Sequence, residues 1–165
     1  MAVDVREATE ADLGRVTEIA EAAWGVAHEP IVGADAVASF LAAHYGRESF
    51  EPYLSADRAL LAVAEDDDAE VVGFVSVSPD EDAPGRFNLG RIYVDPDRWG
   101  EGVGRQLLDH AESAVTDRGG ERIRLGVMVE NDRAVGFYES AGYDRVDDFY
   151  DDRLDVEGYT YEKAL

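Results

Sequence analysis

The segment Ile92-Tyr-Val-Asp-Pro-Asp-Arg-Trp-Gly-Glu-Gly-Val-Gly-Arg-Gln-Leu-Leu108 carries the clearest chemical signal in the chain. Three glycines, Gly100, Gly102 and Gly104, alternate between a strand-like run ended by Pro96 and an apolar helical repeat. Glycine removes a side chain where the backbone must turn tightly or approach a ligand. A helix that starts near Gly104 adds free N–H groups and the positive end of its dipole. Together they make an anion cradle suited to a pyrophosphate. The same spacing also suits a strand-to-helix turn with no ligand. Two other phosphate loops do not fit. A P-loop needs a Gly-Lys pair, and Lys163 is the only lysine. A dinucleotide-binding G-x-G-x-x-G opens its domain and has a different spacing.

A second segment, Val127 to Tyr143, joins an apolar run to Asn131 and then a short helical pattern. That pattern carries Ala134, Phe137 and Tyr138 to a stop at Gly142. A phenol such as Tyr138 can protonate a leaving group, or it can simply pack as an amphipathic ring. Other chemistries are excluded or poorly supplied. The chain has no Cys, which removes disulfides, thiolate metal sites and a Cys nucleophile. His28, His44 and His110 have no metal-site spacing, so no metal is expected. The triple aspartate Asp66–Asp68 lacks the spaced ligands of a calcium loop.

These residues must be positioned by a chain of 165 residues, which suits a single domain spanning 1–165. Hydrophobic residues make up 45% of it, enough for a sizeable core despite the charge. Acidic residues number 37 against 15 basic ones, 14 of them arginine, for a net charge of −22. Such a charge is tolerable where salt screens it. An acidic but ordinary mesophilic protein is one reading; with lysine nearly absent and acids spread over the whole length, the composition resembles that of haloarchaeal proteins, which implies a cytoplasmic protein of a halophilic archaeon. The charge also makes nucleic acid a poor partner, since few cations are available for phosphates. No apolar run approaches the roughly 18 residues of a membrane span. The N-terminal residues lack a signal-peptide pattern.

Strand and helix patterns alternate. A strand is expected over Val3–Ala8, followed by Thr9-Glu-Ala-Asp12 as a capping box and a helix to about Trp24. The segment Gly25–Gly33, with Pro30, reads as a loop, and Ala34–Tyr45 as a second helix. Arg58–Glu65 and Glu70–Ser78 read as a hairpin around an acidic turn. Arg86–Asp95 is the next strand and Arg105–Arg118 a strong helix. Arg122–Val129 is a buried strand and Asp132–Ser140 a short helix. Tyr143–Phe149 and Glu157–Lys163 are the last strands.

The two segments in register resemble the GCN5-related N-acetyltransferase (GNAT) superfamily. Its R/Q-x-x-G-x-G/A loop corresponds to Trp99–Gly104, and its N-x-x-A-x-x-F-Y-x-x-x-G-F/Y element to Asn131–Tyr143. The resemblance implies an α/β (α+β) fold. Its central mixed, mostly antiparallel sheet has about seven strands and a V-shaped splay between the fourth and fifth. About four helices flank it. It implies acetyl-CoA as cosubstrate, with no metal. Ile92, Tyr93 and Val94 would bond its pantetheine arm through their main chain. The N–H groups of Trp99, Gly100, Glu101, Gly102, Val103, Gly104 and Arg105 would take the diphosphate. Asn131 would contact the arm, and Tyr138 would be the catalytic acid beside the sulfur.

Two departures stand out. Trp99 replaces the usual Arg or Gln, so Arg98 or Arg105 would supply the cation. The carboxylate common on the preceding strand falls at Asn88 or Gly90, neither of which can serve as a base. Glu130, His28, Glu29 and a water chain are the substitutes. The implied reaction is transfer of acetyl to a primary amine, on a small molecule or a peptide, by direct attack in a ternary complex. An acyl-CoA-binding module without turnover is the second reading. A homodimer through the late strands is compatible with both.

Overall fold

The computed structural model describes residues 3–165. Strands β1 (Asp4–Glu7), β2 (Leu60–Glu65), β3 (Val71–Pro79), β4 (Arg86–Val94), β5 (Arg122–Met128), β6 (Asp144–Asp151) and β7 (Val156–Ala164) form one sheet. Their order is β1-β2-β3-β4-β5-β7-β6. Helices α1 (Leu13–Val32), α2 (Ala34–His44), α3 (Arg47–Ser55), α4 (Val103–Asp117) and α5 (Asp132–Ser140) cover it. Neighbouring strands are antiparallel except β4 and β5. Those two pair in parallel only from Arg86–Asn88 to Arg122–Arg124, then separate. The mixed seven-stranded sheet with its splay is the architecture the motifs imply.

Each face of the sheet has its own core. On one, Leu107, Leu108, Ala111 and Val115 of α4 recur at helical spacing and are fully buried with Phe87 and Ile123. Burying a leucine side chain contributes about 1.5–3 kcal/mol, so this stripe fixes α4 against the sheet. On the other, Leu13, Val16 and Ile19 of α1 pack with Phe50 of α3 and Phe74 of β3. At the start of α1 the carboxylate of Asp12 accepts a hydrogen bond from the Thr9 N–H at 2.7 Å, the reciprocal half of a capping box.

Two expectations need correction. The segment Gly25–Gly33 is not a loop, because α1 continues through Pro30 to Val32 and ends at Gly33, φ +90°. Pro30 lies in the last turn, where its missing N–H removes only one bond. Trp24 and His28, one turn apart, are both buried, and their packing holds the extension. Helix α3 was missed altogether. It is nine residues long with Pro52 inside, and it is anchored by the fully buried Phe50. Such a segment is too short for its periodicity to register.

The acidic turn between β2 and β3 closes on itself. Asp66 accepts hydrogen bonds from the Asp68 and Glu70 N–H groups. Among the described residues no group of three or more His, Cys, Asp or Glu is placed to hold a metal ion. No described helix is long and apolar enough to cross a membrane.

Candidate active site

The glycine loop is shaped mainly by its own backbone. After β4, the Asp95 carboxylate accepts from the Asp97 N–H at 3.0 Å and starts a single 3₁₀ turn at Pro96. Trp99 then folds back, its Nε1–H donating to the Val94 carbonyl at 2.8 Å. Gly100 and Gly102 sit at φ +83° and +84°, in the left-handed region that favours glycine. A Cβ placed on either would meet nothing within 4 Å, so both face open space. Helix α4 begins directly after Gly102, and its first N–H groups have no partner within the helix.

These elements line one end of a cleft, a cavity of about 380 Å³. Ile92, Tyr93, Val94, Trp99, Gly100, Gly102, Val103, Gly104, Arg105, Asn131 and Tyr138 all line it. Glu101 does not. It pairs instead with Arg98 at 3.2 Å. The expected cations are engaged by carboxylates: Arg98 with Asp66 and Glu101, and Arg105 with Asp109. The residue missed from sequence is Arg133, whose guanidinium lies 4.3 Å from the centre of the Trp99 ring. Its only available signal was a place on the first turn after Asn131, opposite an unusual tryptophan. Trp99 thus ties the loop to β4 and carries a cation on its face.

The other end is a second cavity, of about 280 Å³. Trp24 of α1, Phe40 of α2 and Tyr45 just after α2 line it, with Gly90 and Arg91 of β4 and Asp151 and Arg153 near the end of β6. His28, Ile92, Tyr93, Asn131, Ala134 and Tyr138 line both cavities, so the two ends meet where β4 and β5 part. Gly90 belongs to this cleft, whereas Asn88 lies in a separate depression beside Arg124. Glu29 and Glu130 are exposed and line neither cavity.

Burial sets the protonation states at the junction. Tyr138 is 6% exposed, and burial raises its phenol well above the ordinary value. It therefore stays protonated across the neutral range. Burial lowers His28 to about 4, leaving a neutral imidazole at pH 7. Asp151 is held below the usual carboxylate range by Arg153, which donates to it at 2.9 and 3.1 Å. Asn131 accepts the Ala134 N–H at 3.2 Å through Oδ1 and caps α5.

A thioester-bearing nucleotide fits this cleft in outline. The open left-handed glycines and helix N-terminus suit a diphosphate, and β4 beyond Asn88 has no β5 partner. The class that the fold and cleft define is a coenzyme A-dependent acyltransferase. The profile of the Acetyltransferase (GNAT) family matches residues 20–143, and the chain belongs to that family. It is 28% identical over 132 residues to an uncharacterized N-acetyltransferase of Mycobacterium tuberculosis, covering 80% of this chain and 83% of that one. It is 33% identical over 115 residues to the peptidyl-lysine N-acetyltransferase YjaB of Escherichia coli K12, covering 66% and 67%.

Among solved structures, the PaiA N-acetyltransferase of Thermoplasma acidophilum in complex with coenzyme A superposes over the full length of both chains. The TM-score is 0.87 and the identity 22%. The ribosomal-protein-S18-alanine N-acetyltransferase of Escherichia coli gives a TM-score of 0.74 at 19% identity, over 99% of this chain and 94% of that one. The protein is an N-acetyltransferase that uses acetyl-CoA as cosubstrate.

Proposed function

We propose that this single-domain enzyme moves acetyl to a primary amine by direct attack in a ternary complex. Acetyl-CoA supplies an acetyl group activated as a thioester. The loop N–H groups from Trp99 to Arg105, with Arg133, hold its diphosphate. The unpaired edge of β4 at Ile92–Val94 and the Asn131 amide hold its arm. Tyr138 carries the reading: a buried, protonated phenol that lines both cavities. Its hydroxyl proton goes to the departing sulfur. His28 is the proposed base that faces the cleft. Neutral at pH 7, it takes the proton that the amine nitrogen gives up as the C–N bond forms and the C–S bond breaks. Without cysteine, no thiol-linked acyl-enzyme can form.

Thiol release from acetyl-CoA over an amine panel in molar KCl, with products identified by mass spectrometry, tests this reading. A chain that binds acetyl-CoA and never releases thiol is a binding module.

We further infer a salt-rich cytoplasm as the working environment, from the −22 charge. The melting temperature should rise between 0.1 and 2 M KCl as repulsion is screened, and a flat response removes the inference. Strand β6 lies at the sheet edge with Val146 and Tyr150 exposed, which supports a homodimer through the late strands. Nucleic acid and membranes are not proposed partners.

A further inference from the structure

Among the described residues Arg91 pairs with no carboxylate, in a chain with 37 acidic residues. It lines the aromatic end of the cleft. Its guanidinium lies 4.6–5.8 Å from the ring centres of Tyr45, Phe50 and Tyr53, which hold it in place. Nη2 donates to the His44 carbonyl at 3.2 Å. Nη1 is buried and has no hydrogen-bond partner among the described residues. A second orphan stands beside it: Ser76, fully buried, pairs with Arg91 across β3 and β4, and its Oγ has no partner either. A Cβ on Gly90, which lines the same cavity, would come within 3.5 Å of that Oγ. Buried donors without acceptors are costly, and a charged one most of all.

The charge of the whole cleft agrees. Five arginines line its two ends (Arg91, Arg98, Arg105, Arg133 and Arg153), against the single carboxylate of Asp151. Three of the five have carboxylate partners, Arg98 with Asp66 and Glu101, Arg105 with Asp109 and Arg153 with Asp151, which leaves Arg91 and Arg133 as the cations that face the cleft without a carboxylate among the described residues. At the coenzyme end a diphosphate accounts for Arg133. At the aromatic end Arg153 is neutralised by Asp151 and only Arg91 is left over. A purely cationic acceptor would meet that charge as repulsion.

We propose that the acceptor is a small amine that also carries a carboxylate, an amino acid in chemical class. Its carboxylate docks on the guanidinium of Arg91, which lines the cavity, while its amine points toward Tyr138. This rests on the acetyl-transfer reading above for the direction of the amine. The docking of the carboxylate does not depend on it. A cavity of about 280 Å³ with aromatic walls suits one amino acid with an apolar side chain.

The test uses the wild-type protein in molar KCl with coenzyme A present. Alanine, leucine and phenylalanine are each compared with the corresponding amide and decarboxylated amine. Calorimetry reads binding, and thiol release from acetyl-CoA reads transfer. At least one amino acid should exceed its two carboxylate-free partners by about tenfold or more, as expected for a charge-assisted hydrogen bond. Arg91→Met should shrink that ratio to within about threefold, and Arg91→Lys should keep part of it. Amides and amines that match or exceed the acids overturn the proposal. So does the absence of binding by any acid, or a ratio that survives Arg91→Met. Arg91-dependent binding without thiol release leaves the docking in place and defeats acetyl transfer to the amine. Thiol release with carboxylate-free amines alone does the reverse.

Discussion

The two ends of the cleft are built from different materials. At the proposed coenzyme end, much of the wall comes from consecutive residues between Asp95 and Arg105, two of them left-handed glycines whose neighbourhood offers main-chain N–H groups. At the aromatic end, side chains arrive from α1, α2, β4, β6 and the turn after β6. A backbone-built site tolerates exchange of side chains, which is why Trp99 can stand where an Arg or Gln is usual. A side-chain-built site changes with each substitution, and that is where the proposed acceptor site would set its selectivity.

The widest gap between the two ends should appear in acid. Unfolded histidine titrates near 6.5, while native His28 titrates near 4. As pH falls the unfolded chain takes up the proton first, so stability is complete above about 6.5 and is lost toward 4. The loss is about 3 kcal/mol. Denaturant unfolding at pH 7.5 and 4 should show it in the wild type and not in His28→Phe, since the carboxylates titrate alike in both. Equal losses would mean that His28 is solvated, and that the aromatic end is more open than its geometry.

At the junction, Tyr138→Phe should lower kcat by about 10- to 100-fold, or roughly 1.4–2.7 kcal/mol of barrier. The ring is retained, so KM for acetyl-CoA should move by less than about threefold, the pattern of a transition-state interaction. The effect is held below the full range of acid catalysis because a thiolate, with a pKa of about 8.5, already leaves fairly well. Full kcat in the variant would make Tyr138 a packing residue shared by the two cavities.

The coenzyme end should answer to backbone changes. Gly102→Val puts a β-branched residue at φ +84° and fills the open cradle. Affinity for coenzyme A should fall at least about tenfold, or 1.4 kcal/mol. Unchanged affinity by calorimetry in a folded variant would move the diphosphate elsewhere. The smallest effect is expected of Trp99→Phe, which keeps a ring under Arg133 and loses only the hydrogen bond to Val94. That bond contributes about 0.5–1.5 kcal/mol to stability, and coenzyme affinity should change by less than about threefold. A tenfold fall would show that the indole itself binds, and would blur the contrast between the two ends.

The amino-acid sequence determined whatever depends on neighbours along the chain. The glycine turn, the helical stripe of α4, the acidic hairpin and the short helix after Asn131 all follow from local spacing. The sheet with its splay followed once the two motifs stood in register. Only the tertiary structure decided the rest. Burial of Trp24 and His28 carried α1 through a proline, and one buried ring, Phe50, held α3. Folding likewise drew Arg98 to Asp66, set Arg133 over Trp99 and left Arg91 with a donor unpaired among the described residues. The physical reason is that turns and periodicity are set by bonds and sterics within a few residues. The partner of a charge, by contrast, is chosen by which distant side chains the packed core brings together and which it shields from water.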